Sequence, residues 1–136
     1  MIDYELLGMV CGLLTVLGFG VFLILMPILN FKLRKNRRGM VKGIIDSAPQ
    51  KLRDRLNLLM ENGTSWLVFS GAGYLWFTYF TLRYGWRIPK SEIVDWRKEI
   101  KIIFGKDYGI YRIFLLAFNF GGLGFVGFCI YNYLTK

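Results

Sequence analysis

Between Leu6 and Phe31 the chain has 26 residues without a charged side chain, and the stretch that follows, Phe31 to Lys42, reads FKLRKNRRGMVK with six Lys or Arg in twelve. No other feature constrains the fold as much. A run of this length crosses about 30 Å of hydrocarbon at about 1.5 Å rise per residue. Cations beside a span stay on the cytoplasmic side, because the membrane potential and the anionic inner leaflet both oppose their transfer. Within the run, Gly8, Cys11, Gly12, Thr15 and Gly18 recur at spacings of three and four. They form a stripe of small residues against which another helix can approach closely. Pro27, near the basic end, is expected to kink or loosen the last turn without ending the span.

Composition points the same way. The chain is 54% hydrophobic and 18% aromatic, with mean hydropathy +0.40, whereas soluble domains have an apolar fraction, Gly included, of about 45 to 50%. The net charge of +9 comes from 18 Lys and Arg against 9 Asp and Glu, held mostly in two segments between apolar runs. That pattern suits anionic lipid headgroups; no nucleic-acid-binding module fits connections so short. There is no histidine, and Cys11 and Cys129 sit inside apolar runs without metal-ligand spacing. No metal or cofactor site is therefore expected, and the thiols are read as buried and structural. The beginning, MIDYE, carries Asp3 and Glu5 where a signal peptide carries cations, so an uncleaved first span is expected.

Two more apolar runs follow. Thr64–Leu82 is charge-free over 19 residues, just long enough to span, and its centre Ser70-Gly71-Ala72-Gly73 permits close backbone approach. Trp66 near one end, with Tyr84 and Trp86 beyond the other, match interfacial aromatic belts. Ile110–Leu134 carries a second small-residue stripe, Ala117, Gly121 and Gly124, and an amide, Asn119, that seeks a hydrogen-bond partner across a helix interface. Arg112, within a turn of its start, is read as a snorkelling anchor.

Both connections have helical punctuation. In Ser47–Asn62, Ser47 and Gln50 form a capping-box pattern, Pro49 suits a first turn, Gly63 sits at a C-terminal position, and Leu52, Leu56 and Leu59 share a face. In the second, Ser91 is a plausible N-cap, Gly105 a stop, and Ile93, Trp96, Ile100 and Ile103 with Phe104 an apolar face bordered by Lys98 and Lys101.

The fold expected is an all-α integral membrane protein in a single domain, residues 1–136. Three transmembrane helices cover about 6–31, 64–82 and 110–134, and two amphipathic connecting helices cover about 47–62 and 91–104. Three spans put the termini on opposite sides. With the N-terminus outside, nine Lys and Arg of the first connection plus Lys136 lie inside, against seven of the second plus Arg112 outside. The dense cluster Lys32, Arg34, Lys35, Arg37 and Arg38 decides for inner-leaflet lipid contact and a cytoplasmic C-terminus, and the compactness of the chain suggests a bacterial inner membrane. In that arrangement Cys11 and Cys129 lie about 20 Å apart in depth.

No Asp or Glu lies inside any of the three runs, which disfavours ion-coupled transport, and no spacing of acids, bases or nucleophiles suggests an enzyme. The function expected is non-catalytic. It is a small membrane protein working through protein–protein interfaces, as accessory subunit of a larger complex or as an inhibitory factor of the immunity or entry-exclusion type. A homo-oligomeric channel or pore is the alternative. Helix packing is expected at Gly8, Gly12, Thr15, Gly18, Ser70, Gly71, Gly73, Ala117, Asn119, Gly121 and Gly124. Partner recognition is expected at Ile93, Trp96, Lys98, Ile100, Lys101 and Ile103. The partner is then a membrane protein or another copy of the chain, besides anionic lipid headgroups.

Overall fold

The computed structural model describes residues 3–60 and 65–136, and all regular structure among them is helical. Two long helices dominate. α1 is Tyr4–Leu33 and α7 is Tyr108–Leu134, about 45 and 40 Å long at 1.5 Å per residue. Both are long and apolar enough to cross a membrane. The carboxylate of Asp3 begins α1 by accepting the Glu5 and Leu6 amides at 3.1 and 3.4 Å, and the helix continues through Pro27.

α1 and α7 pack side by side in opposite directions. Gly8 meets Tyr131, Gly12 meets Phe128 and Gly18 meets Gly121. Further along, Phe22 lies on Phe114 and Phe118, and Lys32 reaches Asp107 at 2.9 Å. The Tyr4 and Leu134 ends therefore share one end of the hairpin. The expectation of termini on opposite sides is corrected by this register, as is the depth separation of the cysteines. Cys11 lies against Gly127, two residues from Cys129, so the two free thiols occupy one layer.

Between Leu33 and Tyr108 the chain folds into a helical head at the other end of the hairpin. α2 is Arg37–Ser47, α3 Gln50–Met60, α4 Trp66–Ser70, α5 Trp76–Phe80 and α6 Lys90–Phe104. A π-helical turn, Thr81–Gly85, follows α5, and a 3₁₀ turn, Gly105–Asp107, joins α6 to α7. Much of the basic run is thus helical, and Ser47 ends α2 instead of capping α3. Its hydroxyl donates back to the Gly43 and Ile44 carbonyls, and Pro49 holds Ala48 extended at ψ 155° so that the helix cannot continue. The positions Gly63 and Thr64, assigned above to a helix stop and a span start, lie outside the described residues. α6 begins at Lys90 behind Pro89, one residue ahead of the expected cap Ser91, and stops at Gly105, whose φ of 55° suits glycine.

The core of the head is aromatic and aliphatic. Leu29 and Leu33 of α1, Ile44 of α2, and Leu52, Leu56 and Met60 of α3 close on Trp66, Trp96, Ile100, Phe104 and Tyr111. Rings stack from Trp66 through Phe104 and Tyr111 to Phe114, with Phe104 and Tyr111 centroids 3.9 Å apart. In α3 the buried face is Leu52, Leu56 and Met60, at four-residue spacing, and Leu59 is 44% exposed. Outside the head, the sides of α1 and α7 turned away from each other expose Leu, Val, Ile and Phe along their length, which is the surface expected of helices solvated by lipid.

Candidate functional site

Two constructions stand out, a glycine seam in the hairpin and a broken helix laid against α7. The seam is built from the residues read above as a packing stripe. A Cβ at Gly18 would stand 2.5 Å from the Gly121 nitrogen and 2.7 Å from the Ala117 oxygen, so backbone lies on backbone. A Cβ at Gly124 would meet the Cys11 oxygen and Thr15 nitrogen at 2.8 Å, and one at Gly8 the Tyr131 ring at 2.7 Å. Gly12 has more room, with Phe128 at 3.8 Å. Thr15 donates to the Cys11 carbonyl at 2.8 Å, within its own helix. The stripes of α1 and α7 are therefore spent on each other.

The second apolar run is not one helix. α4 and α5 have five residues each, and Gly71 to Leu75 between them are turns and bends. The segment runs down the side of α7. A Cβ at Gly71 would collide with Leu115, and one at Gly122 would come within 3.4 Å of Trp76. It then comes back to the head, where Arg55 lies 4.6 Å from the Trp86 ring centroid and Lys51 contacts the Trp86 carbonyl. The expectation of a continuous transmembrane helix over 64–82 is thus corrected. Two glycines and a serine in four residues weaken a helix, the glycines through backbone freedom and the serine through competing hydrogen bonds.

Broken backbone away from water must find partners, and here side chains supply them. Asn119 accepts from the Trp76 amide at 3.0 Å and donates to the Tyr74 carbonyl at 3.2 Å. Thr78 donates to the Ala72 carbonyl at 2.6 Å, and the Arg97 Nε to the Gly73 carbonyl. The buried Ser70 hydroxyl donates to the Trp66 carbonyl. Tyr111 donates to the Leu67 carbonyl at 2.6 Å, and Trp66 to the Asn30 side chain at 3.1 Å.

The residues expected to recognise a partner divide. Ile93, Trp96 and Ile100 are turned inward, each at most 1% exposed, and the Trp96 indole donates to the Ile44 carbonyl at 3.1 Å. Ile103 is half-buried against Gly43. The apolar face of α6 is core, which corrects its reading as a recognition surface; only Lys98 and Lys101 face outward. Of the basic cluster, Lys32 pairs with Asp107, Arg34, Lys35 and Arg38 are exposed, and Arg37 is half-buried.

Sequence reasoning passed over Arg97, Tyr74 and Tyr108. The Arg97 guanidinium lies 5.4 and 5.0 Å from the Tyr74 and Tyr79 ring centroids. Tyr74 donates to the Arg97 carbonyl at 2.8 Å and accepts from Tyr108 at 3.3 Å, and the Lys101 ammonium is 5.7 Å from the Tyr108 centroid. Their only signal was Arg97 and Lys101 one turn apart on the helix. Among the described residues no cluster of three or more His, Cys, Asp or Glu is close enough to hold a metal ion, and the one ion pair is Lys32–Asp107.

Taken together, the fold defines a helical bundle with two helices able to cross a membrane and a head at one end of them. No family model matches the chain, and no curated protein or solved structure matches it.

Proposed function

We propose that the protein is a non-catalytic integral membrane protein that acts through protein–protein contacts made by its head, as an accessory subunit of a larger membrane complex or an inhibitory factor of the immunity or entry-exclusion type. α1 and α7 cross the bilayer as a hairpin, and α4 and α5 with the bend between them enter and leave on the head side. Of the 18 Lys and Arg, only Lys136 lies at the far end, which leaves 17 on the head side. The head is accordingly cytoplasmic and both the Tyr4 and Leu134 ends are outside. This arrangement removes the near balance of charges that three spans produced.

The observation that carries the reading is the use of polar groups. Those inside the molecule, Asn119, Ser70, Tyr111 and Trp96, are tied to backbone carbonyls or amides and serve the fold. Most of the cations are exposed, and a single ion pair joins them to the acids among the described residues. A basic surface of this kind attracts acidic partners and anionic lipid.

Purification in mild detergent from the native membrane, with mass spectrometry of co-migrating chains and light scattering of the particle, tests the proposal. A stoichiometric larger partner is the result expected. A clean homo-oligomer with no partner would overturn it and bring forward the channel reading.

A further inference from the structure

Three cations flank the junction of the broken segment, α6 and α7. Arg97 and Lys101 are one turn apart on α6, and Tyr108 and Arg112 one turn apart on α7, so each pair shares a helix face. The Tyr74–Tyr108 hydrogen bond and the approach of Lys101 to Tyr108 join the two faces. Arg97 lies 5.4 Å from the Tyr74 ring centroid, and Arg112 follows Tyr108 by one turn of α7. None of the three cations has a carboxylate partner among the described residues. Arg97 is held by the Gly73 carbonyl and two tyrosine rings. Lys101 and Arg112 are exposed.

Further along α7 the surface changes character. A cavity of about 270 Å³ opens between α5 and α7, lined by Val68, Trp76, Phe118, Gly122, Phe125 and Val126 among others. Asn119 at its edge is seven residues beyond Arg112, on nearly the same face, about 10 Å deeper at 1.5 Å per residue. Cations at one level with an apolar groove about 10 Å below them match the two ends of a phospholipid.

We propose that this is a binding site for one anionic phospholipid, its phosphate between Lys101 and Arg112 on the side of Arg97, and an acyl chain in the groove at Trp76 and Gly122. Guanidinium and ammonium groups supply charge-assisted bonds to phosphate oxygens. Gly122 lets the Trp76 indole lie close on α7 at the wall of the groove. The site rests on the membrane placement of α1 and α7 proposed above, which incorporation into nanodiscs tests separately.

The full chain is reconstituted in nanodiscs containing phosphatidylglycerol and phosphatidylcholine, and retained lipid is counted by native mass spectrometry. One phosphatidylglycerol per chain is expected to survive release. The double variant K101Q/R112Q removes the two exposed cations of the site, and retention should fall by about tenfold or more. K90Q/K98Q removes two charges elsewhere on α6 and should leave retention intact. G122L fills the groove and should also reduce retention, and added inorganic phosphate should not displace the lipid. Equal loss in both double variants would show diffuse attraction only and overturn the site. Retention unchanged by K101Q/R112Q or by G122L, or displacement by inorganic phosphate, would overturn it equally. Failure of the chain to enter nanodiscs would instead count against the membrane reading.

Discussion

Gly18 rests directly on Gly121, so close that a methyl group on Gly18 would stand 2.5 Å from the Gly121 amide nitrogen. The two longest helices touch there through their backbones. A side chain on Gly18 must push the helices apart along their whole seam, whereas Gly20 has nothing within 4 Å.

Gly18→Val should therefore destabilise the protein by at least about 1 to 3 kcal/mol, the usual range for overpacking. Gly20→Ala should be neutral or stabilising by up to about 1 kcal/mol, from helix propensity. Unfolding in mixed micelles, followed by circular dichroism, compares the two.

The antiparallel register predicts a crosslink. A Cβ at Gly127 would stand 2.7 Å from the Cys11 sulfur, within reach of a disulfide. In a Cys129→Ser background, Gly127→Cys should form an intramolecular bond with Cys11 under mild oxidation, seen as loss of two free thiols and of about 2 Da. Two free thiols persisting after oxidation would contradict the hairpin and favour parallel outer spans.

Asn119 is the support of the broken segment. Asn119→Leu keeps the branched shape of the side chain but leaves the Tyr74 carbonyl and Trp76 amide without partners. A loss of about 1 to 3 kcal/mol for each unsatisfied group is expected. Hydrogen exchange should be faster at Trp76 than in the wild type, with α1 unaffected.

Core and surface of α6 can be told apart by paired substitutions. Ile93→Ala empties a fully buried site and should cost about 2 to 5 kcal/mol. Lys98→Glu alters an exposed position and should stay within about 0.5 kcal/mol of the wild type. Equal stability of the two variants would show that the apolar face of α6 is not core.

The parts legible in the sequence were those that depend on one local signal. Charge-free length marked α1 and α7, and small-residue spacing marked the glycines that meet between them. Gly105 marked the end of α6. The second run misled because hydropathy does not report continuity. Thr64–Leu82 is apolar enough to span, but its bend is decided by Asn119 of α7 and Arg97 of α6, which are distant in sequence and supply the hydrogen bonds the helix gives up. Likewise, the apolar face of α6 has the same spacing whether it covers lipid, a partner or Ile44. The pairing of α1 with α7 is a long-range choice, and without it the side occupied by each charged segment could not be counted.

The hairpin also sets a schedule for synthesis. α1 leaves the ribosome first, and the helix that covers its glycine seam follows only after the chain from Arg34 to Asp107. At roughly 5 to 20 residues per second that interval is about 4 to 15 s. During those seconds Gly18 lacks the backbone that finally covers it. Whatever holds α1 in place until α7 arrives is as much a part of this fold as the contact that finally replaces it.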